Sequence, residues 1–341
     1  AGSVRPPRRP RRPAGQSRGR TRRLRGESPV SGRAADPPSD ETRIRRGAYL
    51  ALAGNCAGCH TERGGAPYAG GAGIATPFGT VFASNLTPDA ATGIGDWSAS
   101  AFWRALHNGR SRDGRLLYPA FPYPTYTRIT RDDSDAIHAY LQSLTPVRRP
   151  NTPHALRFPY RTQAALAVWR ALYFRPHDAP PAGGAGADAD RGAYLVNALG
   201  HCNACHADRN WLGATRESPD LGGGLIPMQN WYAPSLIAAD EASVADWPAA
   251  DIVALLKAGV APRASVLGPM ADVVFRSTQF LTQADLGAIA AHLKGLPQSP
   301  ASAPRPPPAS GDADARIADG RAVYDAHCSD CHGIEGQGRT G

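Results

Sequence analysis

Methionine and lysine are nearly absent from this 341-residue chain, which has Met228 and Met270, Lys257 and Lys294, and 36 Arg. No stretch approaches the roughly 18 unbroken apolar residues of a membrane-spanning helix, so the sequence offers no such span. The N-terminus lacks the apolar core of about 7–15 residues that a secretory signal needs, and it lacks an initiating Met. No Ser/His/Asp set, phosphate-binding loop or paired carboxylates stand out, so no self-contained catalytic machinery is legible. With 42% hydrophobic and 20% charged residues, a wholly disordered chain is excluded and two or three globular domains are expected.

The net charge of +9 invites a nucleic-acid reading, but its location argues otherwise. Residues 1–46 hold fourteen Arg and four acids, a balance of +10, and the remaining 295 residues balance at −1. The excess sits in a leader of Arg, Pro, Gly and Ser over residues 1–40, which cannot bury enough apolar surface to offset its ordering entropy and is expected to be disordered. A polyanion-binding arm is the alternative for this leader. The near-neutral body gives no electrostatic reason for a nucleic-acid partner.

All six cysteines fall in one pattern: Cys56-Ala-Gly-Cys59-His60, Cys202-Asn-Ala-Cys205-His206 and Cys328-Ser-Asp-Cys331-His332. C-x-x-C-H is the attachment signature of c-type haem. Two thiols one helical turn apart can form thioethers to the two vinyl groups of one porphyrin, with the adjacent imidazole as the proximal iron ligand. From this composition a single chance occurrence is expected only about 0.003 times, and there are three with no Cys left over. A zinc site would need four converging ligands where each cluster supplies three. A thioredoxin-like C-x-x-C would not require His next to it three times. Disulfide staples are not needed by a chain with this apolar fraction. Three covalent haem c groups are the expectation, the third in an incomplete site.

The chain also repeats. Arg46-Gly-Ala-Tyr-Leu50 lies ten residues before Cys56, and Arg191-Gly-Ala-Tyr-Leu195 eleven before Cys202. Asp96-Trp97 matches Asp246-Trp247, each followed by a helix-like segment, 100–107 and 249–258. Apolar spacings of three and four predict amphipathic helices over 132–144 and 282–296, the latter with Thr282 as N-cap and Asp285 in the first turn. A third copy opens at Gly320-Arg-Ala-Val-Tyr324. Repeats of about 140 residues are domain duplications. The expected fold is all-α: cytochrome c domains over 41–150 and 189–298, a connector over 151–188, a Pro-rich linker over 299–311, and the start of a truncated third domain over 312–341.

The second axial ligand tunes the potential. Met270 lies 23 residues after Trp247, in the loop before the last helix of the second domain, and is the expected thioether ligand there. Met228 is expected to be a packing residue. The equivalent slot in the first domain holds Phe121, 24 residues after Trp97, and phenylalanine cannot coordinate iron. An open or water-bound iron, His107 or His138, or a ligand from another domain or subunit all remain open, with an unusual spin state and a lower potential expected for the first haem.

Arg46-Gly-Ala-Tyr-Leu50, Asn55-Cys-Ala-Gly-Cys-His-Thr61, Thr76-Pro-Phe-Gly-Thr80, Ser84-Asn-Leu-Thr-Pro-Asp89, Thr92-Gly-Ile-Gly-Asp-Trp97 and Leu117-Tyr-Pro-Ala-Phe-Pro-Tyr123 resemble the triheme cytochrome c subunits of bacterial membrane-bound dehydrogenases. The resemblance runs over residues 43–341 and includes the connector 158–174. It departs at Phe121, where the family usually has Met, in the missing remainder of the third domain, and in the leader. It implies a non-catalytic electron relay. The partner would be a periplasmic dehydrogenase large subunit using pyrroloquinoline quinone, flavin or molybdenum, and the acceptor ubiquinone or a terminal oxidase. It also implies a periplasmic location, with peripheral association to the inner membrane through the missing C-terminal part. A peroxidase-like haem enzyme with an open first haem is the alternative.

Overall fold

The computed structural model describes Gly2 and residues 39–177, 187–215, 221–299 and 313–336. The disordered leader expected over 1–40 therefore lies outside the described residues except for Gly2, Ser39 and Asp40, as do residues 300–311 of the expected Pro-rich linker. Ser39 and Asp40 start a helix: the Ser39 hydroxyl accepts from the Thr42 N–H, capping α1 (Asp40–Ala53).

In the first half, α1 leads into α2 (Cys56–His60), a hairpin of β1 (Gly73–Thr76) and β2 (Gly79–Phe82), then α3 (Ala99–Asn108), α4 (Tyr123–Tyr126) and α5 (Arg131–Gln142). A two-residue β3 (Ala155–Leu156) and α6 (Gln163–Tyr173) follow. The second half replays the order. It has α7 (Ala187–Tyr194) extended by a π-helical turn Leu195–Leu199, then α8 (Asn203–His206) and the hairpin of β4 (Gly224–Ile226) and β5 (Trp231–Ala233). Next come α9 (Ala249–Ala258), the hairpin of β6 (Val260–Ala261) and β7 (Ala264–Ser265), α10 (Pro269–Arg276), a 3₁₀ turn Thr278–Phe280 and α11 (Gln283–Lys294). Near the C-terminus, α12 (Ala313–His327) precedes α13 (Ser329–His332).

The helices begin and end where the chain chemistry dictates. Ser98, Thr130, Thr162 and Thr282 each turn a side-chain oxygen onto a first-turn N–H. Gly109 and Gly259 take the left-handed conformation that closes α3 and α9. The all-α expectation needs correction, because the described residues also form three small antiparallel sheets, ordered β1-β2-β3, β4-β5 and β6-β7. The stretches after each haem motif are rich in Gly and Pro, which disfavours helix, and their extended backbone finds hydrogen-bond partners by pairing. β3 comes from the expected connector, where Leu156 pairs with Gly79.

In each half the first and last helices cross closely, α1 on α5 and α7 on α11. Glycine permits the crossing: a Cβ on Gly47 would lie 1.9 Å from the Ala136 carbonyl oxygen, and one on Gly192 2.0 Å from that of Ala288. Leu50, Ile137 and Leu141 of the first half and Leu195, Leu199, Leu286 and Ile289 of the second belong to one buried cluster. The repeated Arg of each half pairs with a carboxylate in the first turn of that half's last helix. Arg46 Nε donates to Asp133 Oδ1 at 2.9 Å, and Arg191 grips both oxygens of Asp285 at 2.8 Å.

Burial works to raise the Asp285 carboxyl, and hydrogen bonds from Arg191 and Tyr49 outweigh it, holding the group below its ordinary value. A depressed carboxyl contributes stability that is present above the unfolded value of about 3.9 and lost as the pH falls through the folded value. Urea midpoints at pH 7 and pH 3 should therefore fall less on acidification in Asp285→Asn than in the unaltered chain. An equal fall in both proteins would contradict the assignment.

Candidate functional site

A residue in the left-handed conformation stands before each of the first two motifs, Asn55 (φ 48°) and His201 (φ 40°), and turns the chain sharply into the short helix that carries the thiols. In the first motif, Cys56, Cys59 and His60 occupy one turn of α2. Cys202 caps α8, which holds Cys205 and His206. Burial pushes both Cys56 and Cys202 up to about 12, with the neighbouring thiol adding to the effect. That is opposite to the depressed value of a redox-active C-x-x-C thiol. No disulfide joins any of the six cysteines, Cys328 at the start of α13 and Cys331 within it included. Among the described residues, no three His, Cys, Asp or Glu side chains converge as a metal cage.

The two histidines are oriented alike. His60 Nδ1 lies 2.7 Å from the Ser84 carbonyl oxygen, and His206 Nδ1 lies 2.8 Å from that of Pro234. An imidazole that donates through Nδ1 keeps Nε2 as the free lone pair, the tautomer and orientation found for metal-ligating histidine. Burial lowers the pKa of both rings against the opposing pull of those carbonyls, so the neutral form is favoured. Paired thiols at one-turn spacing, a neutral ring fixed in this tautomer and an apolar setting fit a covalently held haem c. His332 completes the third motif on α13, where the Tyr324 hydroxyl donates to the Gly333 carbonyl at 2.6 Å.

Met270 is the second residue of α10 and is half-buried. Gly268 before it, at φ +53°, lies against the Trp231 ring so closely that a Cβ there would sit 2.6 Å away. Trp231 is in β5, next to the Pro234 carbonyl that orients His206, so the Met270 turn and the His206 turn share one hairpin as support. Leu225, Met228, Trp231, Tyr232 and Leu267 leave large apolar surfaces uncovered along this region. The packing role expected for Met228 is corrected: it sits in the β4–β5 turn at φ 63°, 65% exposed, because the tight hairpin turns its side chain outward.

Phe121 packs in the first half against Tyr126, with ring centroids 5.5 Å apart, and Tyr126 lies near enough for Cys56 and Cys59 to bear on its hydroxyl electrostatically. The two histidines considered for this half are engaged elsewhere. His138 Nε2 is 3.0 Å from the Trp97 carbonyl oxygen, and His107 stacks on Trp103 at 4.5 Å. The repeated Tyr49 and Tyr194 carry contacts that sequence reasoning missed. Tyr49 donates to Asp285 at 2.5 Å and Tyr194 to Asp133 at 2.6 Å, each in the opposite half. The duplicated Arg-Gly-Ala-Tyr-Leu was the available signal, but its spacing does not say which copy each side chain reaches.

The Cytochrome c family matches residues 44–145. The chain is 37% identical over 318 residues to the cytochrome c subunit of the quinone alcohol dehydrogenase of Gluconacetobacter polyoxogenes, covering 89% of this chain and 68% of that protein. It is 36% identical over 276 residues to the gluconate 2-dehydrogenase cytochrome c subunit of Pantoea cypripedii, covering 79% and 63%. A diheme cytochrome c-type protein of Cereibacter sphaeroides is 37% identical over 263 residues, covering 74% of this chain and 85% of its own length.

Proposed function

The chain belongs to the cytochrome c subunits of dehydrogenase complexes, and from that premise we propose that it is a multihaem electron-transfer subunit that relays electrons and turns over no substrate itself. The reading is carried by the duplicated C-x-x-C-H turn whose histidine is pinned at Nδ1 by a backbone carbonyl and left free at Nε2. Haem c supplies reversible one-electron chemistry at its iron. Cys56 with Cys59, Cys202 with Cys205 and Cys328 with Cys331 would hold three such groups through thioethers, and His60, His206 and His332 would be the proximal ligands. One group would belong to each of the segments 41–150, 189–298 and 312–341. Met270 would be the second axial ligand in the second segment, and Phe121 in the equivalent slot of the first would supply no axial ligand.

The named relatives serve alcohol and gluconate dehydrogenases. The partner would be a periplasmic dehydrogenase large subunit of pyrroloquinoline quinone, flavin or molybdenum type, and the acceptor ubiquinone or a terminal oxidase. No helix among the described residues is long and apolar enough to cross a membrane, in keeping with a periplasmic subunit held peripherally at the inner membrane.

Chain matured with c-type haem should be reduced and reoxidised reversibly in a potentiometric titration followed in the visible spectrum, without turning over hydrogen peroxide. Sustained peroxide turnover would favour a haem enzyme instead. Magnetic circular dichroism should show a low-spin Met/His signature that disappears in Met270→Leu, beside a first haem lacking it. Phe121→Met should add that signature and raise the potential of the first haem. A Met/His signature from both complete segments of the unaltered chain would contradict the ligand assignment.

A further inference from the structure

The structure joins its two halves through a pair of reciprocal hydrogen-bond clusters that the electron-carrier reading does not itself require. In an ordinary capping box, the acid three residues after the N-cap reaches back to the N-cap N–H. Both α5 and α11 have the residues for it, Thr130 with Asp133 and Thr282 with Asp285. In each, a tyrosine hydroxyl from the other half is inserted between the two groups. Tyr194 accepts from the Thr130 N–H at 3.3 Å and donates to Asp133 Oδ2 at 2.6 Å. Tyr49 accepts from the Thr282 N–H at 3.2 Å and donates to Asp285 Oδ2 at 2.5 Å. Each half thus completes a helix cap of the other, and Asp133 and Asp285 are only 2% and 8% exposed.

The haem motifs lie beside this double clasp. Tyr49 and Tyr194 are seven and eight residues before Cys56 and Cys202. Across the same interface, Thr125 donates to Asn203 Oδ1 at 3.1 Å, and His201 Nε2 lies 3.3 Å from the Gly54 carbonyl oxygen. α10 of the second half packs on α2, the helix of the first motif. Loosening either cap would let one motif shift relative to the other.

We propose that Tyr49 and Tyr194 are positioning residues, which reach across to cap the last helix of the opposite half and so fix the separation of the first two haem motifs for direct electron exchange within the chain. The proposal rests on the haem assignment made above. Removing a hydroxyl takes away the acceptor of one helix N–H and one of the two donors to the carboxylate, whose arginine partner stays, while the phenyl ring keeps the packing.

The test uses the full haem-loaded chain, unaltered and as Tyr49→Phe/Tyr194→Phe. Haem content is measured by pyridine haemochrome, the two potentials by spectroelectrochemistry, and electron equilibration between the sites after pulse reduction. The double variant should keep its haem content, show a changed separation of the two potentials, and equilibrate about tenfold more slowly, since a displacement of about 1 Å in a positioned reaction can cost up to about a hundredfold. A lower Tm with unchanged potentials and equilibration rate would overturn the proposal and leave the tyrosines a purely structural role. Should the double variant fail to take up haem, Tyr49→Phe and Tyr194→Phe singly are read by the same two quantities, and no change in either overturns it. Absence of c-type haem from the unaltered chain would instead overturn the haem assignment.

Discussion

A histidine ring tied through Nδ1 to a main-chain carbonyl is the constraint on which the rest of this structure turns. His60 meets Ser84 24 residues on, and His206 meets Pro234 28 residues on. To bring those carbonyls back, the chain after each motif must reverse direction in a short distance. The reversal explains why strands and left-handed glycines appear in an otherwise helical protein. Gly70 and Gly223, both at positive φ, donate their N–H groups to the His60 and His206 carbonyls, so the segment entering each hairpin is stitched to the end of the motif helix. Histidine orientation, hairpin and glycine are one device built twice.

The duplication also accounts for how the halves are joined. Because the two copies carry the same Arg, Tyr, Thr and Asp, a contact made by one copy on the other can be made in return, and the structure shows both. The paired guanidinium of Arg191 helps keep the Asp285 carboxylate charged where burial alone would disfavour it. The apolar cluster running through both halves supplies non-directional attraction. The tyrosines supply direction, since a hydroxyl that both accepts and donates is satisfied in only one relative placement.

Much of this was legible in the sequence because it is local. The three C-x-x-C-H turns, the Thr282 cap and the helices over 249–258 and 283–294 depend on residues close together in the chain. Long-range features were not legible. β3 pairs across a separation of more than seventy residues, and Tyr49 reaches Asp285 across 236. Met228 was misread because an apolar side chain is expected inside, whereas a hairpin turn at positive φ holds it outside.

Covalent capture at all three motifs is the central claim, and intact-mass measurement of the denatured, matured chain tests it most directly. The account predicts a mass increased by three haem groups, with none of the six thiols open to alkylation. An unmodified mass with six alkylatable thiols would contradict it.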